Sequence, residues 1–286
     1  MAGISINQDV CTRCGACVEM CSVTHVFEVV EGEVHAPNPR RCWECGQCVA
    51  VCPVDAIAHS SFPLEACPPI KRYDDGLDVL VNLMRERRSV RVYQNKPVER
   101  GVVQKLMETT CWAPSGSNLQ QVTWQAVDDA QAIEKLEEDT IHSLVKEAAG
   151  LRRHADEEGI SDMQRKIALR QAKSYEHLER RLLRDEKPVF FGAPLLLIAA
   201  TPDTPFGRDD AVIAGYCMQL AAPQMGLATC QIGYFVAARS NDPELGSETL
   251  QMAPDHIVQM LLAVGYPKYK MRRYVARRTQ PLKWLG

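Results

Sequence analysis

Eight of the chain's twelve cysteines lie between Cys11 and Cys52, in two runs of identical spacing, C-x2-C-x2-C-x3-C. The first run is Cys11, Cys14, Cys17 and Cys21. The second is Cys42, Cys45, Cys48 and Cys52, followed by Pro53. Three thiolates at these intervals wrap one face of an iron-sulfur cubane, and the fourth, carried off by the next turn, reaches the other cluster. Zinc is the competing reading, but a tetrahedral ion takes four ligands, normally as two separated pairs, and leaves the third Cys of each run unexplained. The spacing predicts two 4Fe-4S clusters, whose chemistry is the transfer of single electrons. Gly15 and Gly46 fall inside the ligand loops, where a missing side chain lets backbone amides approach cluster sulfur. Cys67, Cys111, Cys217 and Cys230 fit neither run, and the first three are expected to act as small buried apolar residues.

Two further stretches carry polar groups suited to a ligand. Arg85-Glu86-Arg87-Arg88-Ser89-Val90-Arg91 is dense in donors for a phosphate or a flavin edge. Ala113-Pro114-Ser115-Gly116-Ser117-Asn118-Leu119-Gln120 reads as a helix terminus followed by small and amide residues that lay backbone against a planar ligand. Taken singly each has a blander reading, a solvated basic helix end and a simple loop. Neither G-x-G-x-x-G nor G-x-x-x-x-G-K-[ST] occurs, which removes the usual signals for a Rossmann site or a P-loop.

These groups are spread over 286 residues, a length that suits two domains. The net charge of −3 provides no basic field for nucleic acid. Residues 1–70 hold three Arg against eight acidic residues, so the N-terminal part is acidic and the remainder near neutral. The N-terminus lacks the basic start and apolar run of a secretory signal, and the longest apolar stretch, Ala193 to Ala200, falls well short of the roughly 18 to 20 residues that span a bilayer. A cytoplasmic protein with reduced thiols and no membrane segment is expected.

The organisation follows from composition and periodicity. Residues 1–65 form a first domain of short elements punctuated by Pro37, Pro39, Pro53 and Pro63, residues 66–76 a linker, and residues 77–286 a second domain. Leu77, Leu80, Val81 and Met84 have helical spacing. Helices are also expected over 99–111 and, interrupted or kinked at Pro223, over 210–225. Strands are expected over 122–127 and 195–200, and a strand or a short buried helix over 257–265. The charged stretch 130–187 reads as two or three solvent-facing amphipathic helices inserted in the second domain.

The cysteine segment resembles the bacterial two-cluster ferredoxins. That resemblance implies one cluster on Cys11, Cys14, Cys17 and Cys52 and another on Cys42, Cys45, Cys48 and Cys21, with Ser22 departing from the usual Pro. The second domain resembles the FMN-dependent nitroreductases, whose motifs R-R-S-x-R, A-P-S-x-x-N-x-Q, G-L-G-T-x-W-x-G and G-Y-P are matched in order from Arg87, Ala113, Gly226 and Gly265. An α+β fold with a mixed sheet flanked by helices is implied.

By this second resemblance Arg87, Arg88, Ser89 and Arg91 contact the flavin, with Arg277 and Arg273 as further phosphate contacts. Pro114, Ser115, Gly116 and Asn118 approach the isoalloxazine from the neighbouring subunit of a homodimer, and Ile232 and Gly233 lie near N5. Gln231, Tyr216-Cys217 and Gln121-Val122 depart from the family pattern on the substrate side. The implied function is an FMN oxidoreductase, fed single electrons through its clusters by a redox protein donor, that reduces a nitroaromatic, quinone-like or other small electrophilic acceptor. The alternatives are an electron-transfer or sensor flavoprotein, or a flavin reductase or dehalogenase. No side chain is singled out as a catalytic acid.

Overall fold

A computed structural model describes residues 3–285. Met1, Ala2 and Gly286, which belong to the expected outer domains and, for the first two, to the N-terminus read for a secretory signal, lie outside the described residues. The chain divides into two compact units. One is Met1–Gly76 with Gly116–Leu119, and the other is Leu77–Ser115 with Gln120–Gly286.

In the first unit the cysteine repeat becomes a structural repeat. Helices α1 (Ala16–Met20) and α2 (Gln47–Val51) each follow a glycine with left-handed backbone, Gly15 at φ 74° and Gly46 at φ 71°. A Cβ at Gly15 would meet no protein atom within 4 Å, so the requirement visible here is the positive φ that glycine adopts without strain. Strand β1 (Ile4–Ile6) pairs antiparallel with β4 (Ile57–His59), and β2 (Glu28–Val30) with β3 (Glu33–His35). The β2–β3 turn places Glu31 and Gly32 both at positive φ, the backbone a two-residue hairpin needs to follow the strand twist. Val26, Phe27, Val34, Val49 and Ile57 form a small core against the cysteine loops.

The second unit holds α3 (Gly76–Glu86), α4 (Arg100–Glu108), β5 (Thr123–Val127), α5 (Ala130–Ala155), α6 (Asp162–Leu182), β6 (Leu195–Pro202), α7 (Gly207–Ala221), β7 (Ala228–Gln231), α8 (Gly233–Asn241) and β8 (His256–Gly265). Its sheet has the order β5-β6-β8-β7, with each named pair antiparallel and a parallel bridge from Ser89 to Thr229. Strands β6 and β8 are apolar almost throughout because both faces are covered. Leu196, Ile198, Leu261 and Ala263 enter one core, and the alternate residues Leu195, Leu197, Met260 and Leu262 enter the other. Pro223 ends α7 regularly, as expected, and the chain continues as a short 3-10 turn over Ala222–Met225.

The stretch 130–187 contains two helices, and the solvent-facing reading is corrected. Leu136, Ile141 and Leu144 of α5 are fully buried in the core, and of the helix's charged residues only Glu137 is buried with them. Asp129 caps α5 by accepting the Ala132 N–H at 2.8 Å, and Ser161 and Gln164 form a capping box on α6. The buried role expected for the spare cysteines is also corrected. Cys67 and Cys111 are exposed and Cys217 is half-buried, whereas Cys230 is the buried one.

Glu137, on α5, is a carboxylate inside this core, and it accepts the Val189 N–H at 2.8 Å. Burial pushes its pKa up, opposed by the Val189 and Phe190 N–H groups and by Lys187 and Arg181. A raised carboxyl contributes stability that is complete below its ordinary range and is lost as pH rises through the raised value. Glu137→Ala, which leaves buried N–H groups unpaired, is expected to destabilise the fold by about 1 to 3 kcal/mol. Glu137→Gln keeps the acceptor and is expected to lose that pH-dependent decline; thermal melts across the acid range read both effects.

Candidate functional site

The eight motif cysteines converge as two sets of four. Cys11, Cys14, Cys17 and Cys52 line one cavity walled by Ile6, Val34 and Ile57. Cys21, Cys42, Cys45 and Cys48 line the other, walled by Val26, Phe27 and Trp43. Each run thus lends its fourth thiol to the opposite set. The cause is local, since the short helices α1 and α2 lie against each other and each carries its last cysteine away from its own loop.

Burial pushes the Cys48 thiol up to about 11 and raises Cys17 and Cys42, with the neighbouring thiols of each set adding to the shift. Four thiolates crowded in an apolar pocket require positive charge among them, which a cluster's irons supply. Among the described residues no three Cys, His, Asp or Glu side chains close on one ion, whereas a cubane is wider than an ion. Donors already point at the sulfurs. The Ala56 N–H reaches Cys52 Sγ at 3.2 Å, the Glu44 N–H reaches Cys42 Sγ at 3.2 Å, and Thr24 Oγ1 lies 3.0 Å from Cys21 Sγ. The donor set fits two 4Fe-4S clusters.

The second site starts where α3 ends. Arg87 N–H still bonds the Leu83 carbonyl, and Val90 N–H then donates to the Thr229 carbonyl at 3.0 Å, pinning the arginine run beside β7. Tyr93 Oη donates to the Val90 carbonyl at 2.8 Å and holds the far end. The run lines a cavity of about 560 Å³, together with Gly226 to Thr229 and the segment from Tyr269 to Tyr274. Arg87, Arg88 and Arg273 all line it. Arg87 Nε is buried among the described residues with no hydrogen-bond partner. An orphaned guanidinium donor in a basic cavity is what a bound phosphate would satisfy, so the residues fit an FMN phosphate.

The other expected flavin residues are dispersed. Ser89 bridges to Thr229, and the Arg91 guanidinium lies over the Phe191 ring, 5.6 Å from its centroid. Arg277 is exposed in the extended tail and does not line the arginine cavity; Arg273 does. Ile232 and Gly233 line a separate cavity of about 980 Å³ with Gln231, Arg208 and Gln259. The Ile232 N–H is already donated to the Leu261 carbonyl at 2.9 Å, whereas Gly233 is the first residue of α8, and its N–H has no acceptor within its own helix.

Pro114, Ser115, Gly116 and Asn118 do not line the arginine cavity either. Ser115 Oγ accepts the Gln120 N–H at 3.0 Å. Asn118 Nδ2 donates to the Trp43 and Glu44 carbonyls at 3.1 and 2.9 Å, inside the first unit. Sequence reasoning missed Gln219, Tyr269 and Lys270 as cavity residues. The basic tail after Gly265-Tyr266-Pro267 was the available signal for the last two.

A four-stranded sheet covered by helices on both faces, with an arginine-lined cavity at one strand, and a separate module of two four-thiol cavities together define a two-part α+β redox protein. Residues 84–266 match the model of the Nitroreductase family, and residues 3–53 match that of the 4Fe-4S dicluster domain. The chain belongs to the nitroreductase family and carries a 4Fe-4S dicluster domain ahead of it. Among solved structures it is similar to a nitroreductase with bound FMN from Bacteroides fragilis, 22% identical over 72% of this chain and 98% of that one, with a TM-score of 0.56. A nitroreductase with bound FMN from Desulfitobacterium hafniense is 18% identical over 72% and 98%, with a TM-score of 0.54. A BluB-like flavoprotein from Clostridium difficile is 17% identical over 70% and 94%, with a TM-score of 0.53. These likenesses carry the fold. No curated protein matches. No helix among the described residues is long and apolar enough to cross a membrane.

Proposed function

We propose that the chain is an FMN-dependent oxidoreductase that takes single electrons through its two clusters and reduces a nitroaromatic, quinone-like or other small electrophilic acceptor. The observation that carries it is the pairing, in one polypeptide, of two four-thiol cavities with a basic cavity holding an orphaned arginine donor. Bound clusters carry one electron each, and a bound flavin accepts electrons singly and releases them as a pair.

The chain's own residues bind and orient. Arg87, Arg88 and Arg273 would hold the phosphate of FMN, Gly226 to Thr229 would supply backbone beside it, and Gly233 would offer a free N–H to the flavin ring. Covalent fusion keeps donor and acceptor at an effective concentration of about millimolar, so delivery needs no diffusive encounter. The acidic first unit favours docking of a basic electron-donor protein. Leu77, Leu80 and Met84 of α3 form an exposed apolar stripe, which supports burial in a homodimer.

Turnover of nitroaromatics and quinones by the anaerobically purified, FMN-loaded chain tests this reading, with a carrier protein as the competing acceptor. Small-acceptor turnover that collapses in Cys48→Ala is expected. Reduction of the carrier alone would replace the enzyme by an electron-transfer flavoprotein.

A further inference from the structure

Among the described residues His59 is the one imidazole hydrogen-bonded to a motif thiol. It closes β4, opposite Ile4 of β1, and is 4% exposed. The Phe62 ring lies against it, with centroids 4.8 Å apart. The Ser61 N–H donates to its Nδ1 at 3.1 Å. An Nδ1 that accepts a hydrogen bond carries no proton, so the proton of the neutral ring is on Nε2. Nε2 lies 3.5 Å from Cys42 Sγ, and in this tautomer it donates to the sulfur.

We propose that His59 sets the reduction potential of the cluster held by Cys21, Cys42, Cys45 and Cys48, through an Nε2–H···Sγ hydrogen bond to Cys42. The imidazole is held by a closed ring of bonds. Glu44 N–H donates to the same Cys42 Sγ, Ser61 Oγ donates to Glu44 Oε2 at 2.7 Å, and Ser61 N–H fixes the far side of the imidazole. The ring nitrogen therefore cannot turn away without breaking contacts on both sides.

One-electron reduction adds a negative charge that is shared by the cluster and its thiolate sulfurs. A fixed N–H dipole aimed at one of those sulfurs stabilises the reduced form more than the oxidised form and raises the potential. The donors to the other set differ. Cys52 receives the Ala56 N–H, and among the described residues no imidazole is hydrogen-bonded to a sulfur of that set. The effect of His59 is thus confined to one of the two clusters, which makes the module electrically asymmetric. His59 is a positioning residue for electrons, since it touches a ligand and no substrate.

The inference rests on the two-cluster reading, and its test separates the two. In the full-length protein, with iron and acid-labile sulfide first counted, an EPR-monitored redox titration reads both midpoints. His59→Leu is expected to move one of them negative by about 59 mV, a roughly tenfold shift in a one-electron equilibrium, and to leave the other in place. His59→Gln, which retains an N–H donor, is expected to recover most of the shift. Unmoved midpoints, equal movement of both, or a positive shift would overturn the role. Should His59→Leu fail to load its clusters, pulsed EPR on the reduced wild-type protein with 15N-labelled histidine decides. One cluster signal must then show coupling to an imidazole nitrogen, and its absence overturns the role. A wild-type count of about four irons or fewer would instead remove the two-cluster reading itself.

Discussion

Cys21→Ala and Cys45→Ala are expected to lose the same cluster, although the two residues come from different sequence runs. Cys14→Ala and Cys52→Ala are expected to lose the other. The cavities combine the first three thiols of one run with the last thiol of the other, so each loss should halve the content to about four irons per chain. The residual EPR spectrum is the discriminating observable. A Cys21→Ala spectrum matching that of Cys14→Ala, rather than that of Cys45→Ala, would mean that each run holds its own cluster. Stability should fall as well. Cys48 and Val49 belong to the core that also packs Val26, Phe27 and Ile57, so an emptied site loosens the only apolar packing this small unit has among its described residues.

Arg87→Ala is expected to weaken FMN binding by about 1.5 to 3 kcal/mol, roughly tenfold to just over a hundredfold. The basis is the buried Nε with no partner, in a cavity that also receives Arg88 and Arg273. Arg277→Ala is expected to leave affinity nearly unchanged, because that side chain is exposed away from the cavity lining. Flavin fluorescence titration of the apoprotein measures both. Equal losses for the two variants would place the phosphate at the tail instead of beside β7.

The sequence revealed these sites unevenly, for reasons that lie in the range of the interactions. Cysteine spacing was readable because ligand loops are local, and four thiols within eleven residues leave few geometries. Leu195 to Ala200 was readable as a strand from its short, buried apolar run. Ile257 to Gly265 was ambiguous for the same reason, since a strand buried on both faces shows no alternation to separate it from a buried helix.

Longer-range features were less accessible. That Arg273 lines the cavity and Arg277 does not depends on how a tail without periodic pattern meets the arginine run and β7. The exposure of Cys67 and Cys111 is a single-residue property with no repeating signal. His59 reaches Cys42 only because β4 pairs with β1 and the following turn returns Ser61 to Glu44. Asn118 is similar. Its amide is bonded to the Trp43 and Glu44 carbonyls of the cysteine loop, a pairing over more than seventy residues that its motif does not signal.

An anaerobic titration of the iron-loaded, FMN-loaded chain with a one-electron reductant tests the central claim most directly. Bleaching of both cluster and flavin absorbance is expected, with an uptake of about four electrons per chain, one for each cluster and two for the flavin. An uptake of about two electrons with flavin bleaching alone, or a protein that carries zinc in its thiol cavities, would contradict it.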